Sequence, residues 1–167
     1  GVGFADVARF VVVGVAVAGG FVGFPFAAPV VGFGFGPDGD CGAVGGAWAW
    51  GVAVHQAFGS VVDYVVEASV AENGPVLHRV TAGVHCNLAV NPRTVEAQVQ
   101  GAAIMGLSMC LPGSGITLKD GVVEQSNFGD YTVARMTDAP TFDVHIVPSA
   151  DAPTGMGEPG LPPLAPA

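Results

Sequence analysis

Two runs rich in β-branched residues open the patterned part of the chain, Gly51-Val52-Ala53-Val54-His55 and residues 61–70. Both read as strands. Asn73-Gly74 then gives a hairpin signal, since both residue types tolerate the positive φ of a tight turn, and a third strand is expected over 76–84. These runs predict an antiparallel ribbon. The period changes at Asn91-Pro92. Val95, Val99, Ala102, Ala103 and Gly106 recur at helical spacing through Met109, with Asn91 able to cap and Pro92 at the first helical position. Pro112-Gly113 stops the helix. Lys119-Asp120-Gly121 is a turn between Ile116-Thr117-Leu118 and Val122-Val123. Residues 141–147 alternate as a further strand, and 148–153 form a loop running to Glu158. The pattern predicts an α+β layer, a mixed or antiparallel sheet packed with one main helix.

Before this, residues 1–48 follow different rules, so the chain divides into 1–48 and 49–167. Residues 10–36 carry no charge and no Leu or Ile, only Val, Gly, Ala, Phe and two prolines. That length is enough to span a bilayer, but Gly19, Gly20, Gly23, Pro25 and Pro29 suit a continuous helix poorly, so a membrane is not an expected partner. A secretory segment is a second option, though Asp6 and Arg9 precede it instead of a basic cluster. A third is out-of-frame translation of GC-rich DNA, which yields such a Gly, Val, Ala and Phe mixture. Localisation stays open.

The 167 residues make one domain, or a piece of a larger protein. A formal charge of -9 with five Lys and Arg argues against a nucleic-acid partner, which requires a basic face. Cys41, Cys86 and Cys110 are odd in number and widely spaced, so neither a disulfide framework nor a zinc knuckle is expected. His85 and Cys86 are adjacent, and neighbours on a strand point to opposite faces.

Among candidate chemical groups, Glu158 stands out. It sits in Thr154-Gly155-Met156-Gly157-Glu158-Pro159-Gly160, and residues 159–167 carry no charge. Glycines let backbone approach a bound group closely, Pro159 fixes the exit direction, and an enclosed carboxylate acquires the raised pKa a general base requires. The plainer alternative is an exposed loop glutamate. Within the helix, Gln98 and Gly101 are three residues apart and project to one face. That face presents either an amide and a bare surface to a ligand, or a solvated amide beside glycines packed on the sheet. Residues 125–131 line a cleft or form a satisfied turn.

In order, Asn91-Pro92, Ala97-Gln98-Val99-Gln100-Gly101, Gly106-Leu107, Ile116-Thr117-Leu118-Lys119-Asp120-Gly121, Gln125-Ser126-Asn127-Phe128-Gly129-Asp130-Tyr131 and Gly155-Met156-Gly157-Glu158-Pro159-Gly160 form a pattern. It resembles the C-terminal end of the molybdopterin-binding large subunit of molybdenum hydroxylases, the xanthine dehydrogenase and aldehyde oxidase superfamily. His55-Gln56-Ala57-Phe58-Gly59-Ser60 also resembles the isoquinoline 1-oxidoreductase β subunit and related bacterial aldehyde dehydrogenases. The likeness runs from Gly51 to Ala167. It implies a molybdenum-dependent oxidoreductase that oxidises an N-heterocycle or an aldehyde with water-derived oxygen. By the same resemblance Glu158 is the catalytic base, Gln98 and more weakly Gly101 contact the cofactor, and that cofactor is molybdopterin cytosine dinucleotide. Molybdenum is then held by the pterin dithiolene, with no protein metal ligand. Electrons leave to iron–sulfur clusters on a partner subunit or to a cytochrome.

The chain departs from the pattern at His85 and Asn87, where an acidic residue and a glycine are expected, and at Ala102, where a second glycine is common. The glycine-rich motif of an earlier large-subunit domain is missing. Residues 49–167 are therefore expected to be a truncated part of the molybdopterin-binding domain, inactive in isolation. The alternative is a non-catalytic remnant or interaction module of the same fold.

Overall fold

The computed structural model describes residues 31–35, 49–72 and 74–167. Most of the segment expected to be anomalous, including the candidate membrane span up to residue 30, lies outside the described residues. Five strands form one mixed sheet: β1 (Val31–Phe35), β2 (Ala49–Ala57), β3 (Ser60–Ala71), β4 (Gly74–His85) and β7 (Thr141–Ile146), in that spatial order. β1 to β4 pair antiparallel, whereas β7 lies parallel to β4, with Ala82 opposite Val144. A parallel neighbour requires a crossover. The crossover here contains helix α1 (Pro92–Cys110) and a small hairpin of β5 (Leu118–Lys119) and β6 (Val122–Val123).

Each connection follows from its residues. Gly74 has φ 106°, which a residue without Cβ adopts freely, and it starts β4; Asn73 lies outside the described residues. Asp120 and Gly121 both have positive φ, 51° and 80°, as a two-residue primed turn between β5 and β6 demands. Pro92 occupies the first turn of α1 as expected, but the Asn91 side chain makes no capping bond. Its backbone carbonyl instead accepts from Thr94 N at 3.0 Å and Val95 N at 3.2 Å.

The helix buries one face on the sheet. Val62, Tyr64 and Val66 of β3, Val80, Ala82 and Val84 of β4, Val95, Val99, Ala103 and Leu107 of α1 and Leu164 form the core with Cys86. β3 is covered on both faces, since Val61, Asp63 and Val65 on the side away from the helix are also buried. The C-terminal residues fold back over this core. Leu164 packs on Gly106, and the Ala167 carbonyl occupies the space a Cβ on Gly51 would need. Among the described residues no helix is long and apolar enough to cross a membrane.

Candidate functional site

The segment leading to Glu158 is fastened at every step. Leu88 N donates to Asp151 O (3.1 Å), Asn87 Nδ2 to Ala152 O (3.0 Å), and Thr154 N to Cys86 O (3.2 Å). Gly155 N donates to Phe58 O (3.2 Å), and the Ser60 and Thr154 hydroxyls share a hydrogen bond of 2.8 Å. Two of these anchors are strained. Phe58 has φ 54° and Asn87 φ 59°. Asparagine tolerates that region, so Asn87 meets the backbone demand of a position where glycine was expected; phenylalanine is uncommon there, and Phe58 is held in it by the two-residue primed turn it forms with Gly59 (φ 78°) between β2 and β3 and by surrounding contacts. Gly155 supplies such a contact, because a Cβ there would lie 2.9 Å from the Phe58 Cβ.

Beyond Gly155 the chain turns inward, outward and inward again. Met156 packs against the core, Gly157 and Glu158 are exposed, and Pro159 is fully buried. Gly160 then fits against β3 and α1 together: a Cβ on it would lie 2.7 Å from the Tyr64 hydroxyl and 3.1 Å from the Ala102 Cβ. That hydroxyl, fully buried, donates to Val99 O at 3.1 Å. Burial, with the nearby Asp63 carboxyl as a second cause, pushes the phenol well above its usual range, so it stays a donor. Tyr64 thereby ties the sheet, the middle of α1 and the Glu158 segment into one unit.

The helix turn so gripped carries Gln98 and Gly101. Both are exposed, flanking the buried Val99, and a Cβ added to Gly101 meets no atom within 4 Å. Glycine inside a helix costs about 1 kcal/mol against alanine, yet this chain offers no packing reason for Gly101. Helical glycine packing occurs instead at Gly106, under Leu164. Gly157 is equally open. Among the described residues neither the Glu158 carboxylate nor the Gln98 amide has a hydrogen-bond partner. The structure thus brings the Glu158 segment to the turn of α1 that bears Gln98 and Gly101, and leaves the helix surface at Gly101 free of a side chain. This donor and acceptor set fits a group approaching from outside the chain, such as a pterin with its polar ring edge.

Elsewhere, Cys86 lies in the core while His85 is half-buried, and burial raises the thiols of Cys86 and Cys110. Among the described residues no three His, Cys, Asp or Glu side chains converge to hold a metal ion. An apolar cavity of about 240 Å³ lies toward the β3–β4 turn, lined by Val66, Leu77, Leu107 and Leu164 among others, away from Glu158. Residues 125–131 form a turn: Asp130 Oδ2 accepts from Ser126 N and Asn127 N at 3.0 and 3.1 Å, which lowers the Asp130 pKa, and leaves Phe128 98% exposed. The residues that sequence reasoning missed are Tyr64 and Phe58. A tyrosine inside a valine-rich strand was the one available signal for the first.

A model of the molybdopterin cofactor-binding domain matches residues 55–140, about half of the chain. The β subunit of isoquinoline 1-oxidoreductase from Brevundimonas diminuta is 34% identical over 125 residues, covering 74% of this chain and 16% of that protein. A membrane-bound aldehyde dehydrogenase (pyrroloquinoline-quinone) from Gluconacetobacter polyoxogenes is 36% identical over 89 residues, 53% of this chain and 11% of that protein. The chain therefore spans about a sixth or less of the relatives it matches. In fold it is similar to reconstituted CO dehydrogenase from Oligotropha carboxidovorans, with TM-score 0.56 and 18% identity over 64% of this chain and 14% of that one. The ordered motifs, the mixed sheet with one main helix among the described residues and the domain match agree, and the chain belongs to the molybdopterin cofactor-binding domain family of the molybdenum hydroxylases.

Proposed function

We propose that this chain is the part of a molybdenum hydroxylase that carries the catalytic base, with Glu158 as that base and with Gln98 and Gly101 against the pterin. The observation that supports this best is the seating of Gly160 on Tyr64 and Ala102, which sets the Glu158 segment beside the open helix turn of Gln98 and Gly101. When bound, the cofactor, in its molybdopterin cytosine dinucleotide form, supplies a redox metal centre that delivers water-derived oxygen to the substrate and accepts two electrons.

The residues of this chain perform the rest. Glu158 Oε takes the proton released as oxygen is transferred, a task for a carboxylate with free lone pairs. The anchors at Gly155 and Pro159 hold it in place before the reaction, so little reorganisation remains at that moment. The Gln98 amide offers a donor and an acceptor to the pterin edge, and Gly101 admits that edge to the helix backbone. Enclosure of the site around Glu158, which excludes water from it, comes from the remainder of the longer subunit. The substrate is an N-heterocycle or an aldehyde, the chemistry named in the relatives isoquinoline 1-oxidoreductase and aldehyde dehydrogenase. Electrons pass to an iron–sulfur small subunit or a cytochrome.

The test is compositional and catalytic together. The full-length subunit, co-expressed with its electron-transfer partner under molybdenum-replete conditions, should contain molybdenum, release CMP on acid hydrolysis, and oxidise members of one of these two substrate classes. Protein that takes up no molybdenum would contradict the proposal and favour the non-catalytic remnant.

A further inference from the structure

Gly157 poses a question that its own chain does not answer. Its φ is outside the left-handed region that favours glycine, and a Cβ there meets no atom within 4 Å. Neighbouring glycines do have reasons: Gly155 must clear Phe58, and Gly160 must clear Tyr64 and Ala102. Gly115 and Gly129 are open too, but they lie in the loops of the crossover. Gly157 is set apart by its place. It and Glu158 form a two-residue exposed step between inward-facing Met156 and Pro159, so the open backbone of Gly157 borders Glu158 on the exposed side of the segment.

We propose that Gly157 determines substrate size, its missing side chain providing the room a bulky ring needs to bring its reacting carbon to the base. This rests on Glu158 being that base. A reacting atom has to come within about 3–3.5 Å of its partner, and the backbone atom next to the base lies inside the footprint of any two-ring substrate placed there. A methyl group at position 157 takes that space from a large substrate and leaves a small one unaffected. One methylene of pocket volume discriminates by about 10–200-fold in kcat/KM.

The experiment uses the full-length subunit with its electron-transfer partner and compares wild type with Gly157→Ala and Gly157→Val. Each is assayed on a one-ring and a two-ring member of the class that wild type turns over, or on acetaldehyde and naphthaldehyde. Gly157→Ala should retain molybdenum and keep kcat/KM for the small substrate within about 3-fold, while the large one falls by at least about 10-fold, chiefly through KM. Gly157→Val should widen the gap. Calorimetric binding of the two-ring product should weaken in step, with the one-ring product unaffected. Equal kcat/KM changes for both sizes would overturn the inference, since the space would then not belong to the substrate. Loss of molybdenum from Gly157→Ala would overturn it as well, assigning the space to the cofactor or to another part of the subunit. A Glu158→Gln variant run in parallel separates the two proposals: full activity there refutes the base, whereas an inactive Glu158→Gln beside a size-blind Gly157→Ala refutes only this inference.

Discussion

Asp63 is the group whose removal changes the chain most measurably. It sits mid-strand in β3 on the face away from the helix, opposite Val54 and Gly83, and it is fully buried with neither carboxylate oxygen hydrogen-bonded among the described residues. Burial raises its pKa from 3.8 to about 8. Because the folded-state value lies above the unfolded one, folding takes up a proton. The Asp63 contribution to stability is therefore greatest below about pH 4, declines between 3.8 and about 8, and levels off above that. The shift is about 4 units, and at 1.36 kcal/mol per unit the loss across this window is on the order of 5 kcal/mol. A domain's whole net stability is only about 5–15 kcal/mol, so the effect is large. The isosteric Asp63→Asn keeps the shape and removes the titration. Urea unfolding of the chain from pH 4.5 to 8.5, followed by exchange of the β3 and β4 amides, should show a steep decline for wild type and a flatter one for the variant. The variant should be the more stable of the two at pH 8. Parallel pH slopes for both proteins would refute the reasoning and mean that Asp63 is solvated or partnered in solution.

Three further outcomes follow from the packing around Glu158. Gly160→Ala drives a methyl toward the Tyr64 hydroxyl and Ala102 and should cost about 1–3 kcal/mol in a denaturant titration, with partial recovery when combined with Tyr64→Phe, which clears the oxygen. Tyr64→Phe alone removes the bond to Val99 O and should cost about 1 kcal/mol, read as faster exchange of the amides in the middle of α1. Gly101→Ala should stabilise the helix by up to about 1 kcal/mol, because its Cβ meets nothing in this chain, while lowering the pterin and molybdenum content of the full-length subunit.

Much of the architecture was legible in the residues. The valine-rich runs became β2 to β4, Asn91-Pro92 marked the start of α1, and Asp120-Gly121 formed its primed turn. Strand ends moved by one or two residues, since pairing extends as far as partner backbone is available. Less legible was anything decided by distant contact. Asn91 was expected to cap with its side chain, yet only its carbonyl does so. The parallel seat of β7 beside β4 depends on the crossover and not on the local pattern of residues 141–147. Asp63 looked like an ordinary strand residue, because burial of a charge is a property of the assembled sheet. For the site, local pattern picked out Glu158, Gln98 and Gly101, and resemblance joined them. What unites them physically is Tyr64, whose hydroxyl reaches 35 residues along the chain to Val99. No spacing rule contains such a link.

The most direct test of the account is the turnover of Glu158→Gln against wild type, in the full-length subunit with its electron-transfer partner, with metal and pterin measured in both. The exchange keeps size and shape, replaces one acceptor oxygen with an amide donor, and removes the charge and the capacity to take a proton. The account predicts a loss of about two to four orders of magnitude in kcat with molybdenum retained. Equal turnover in the two proteins would contradict it.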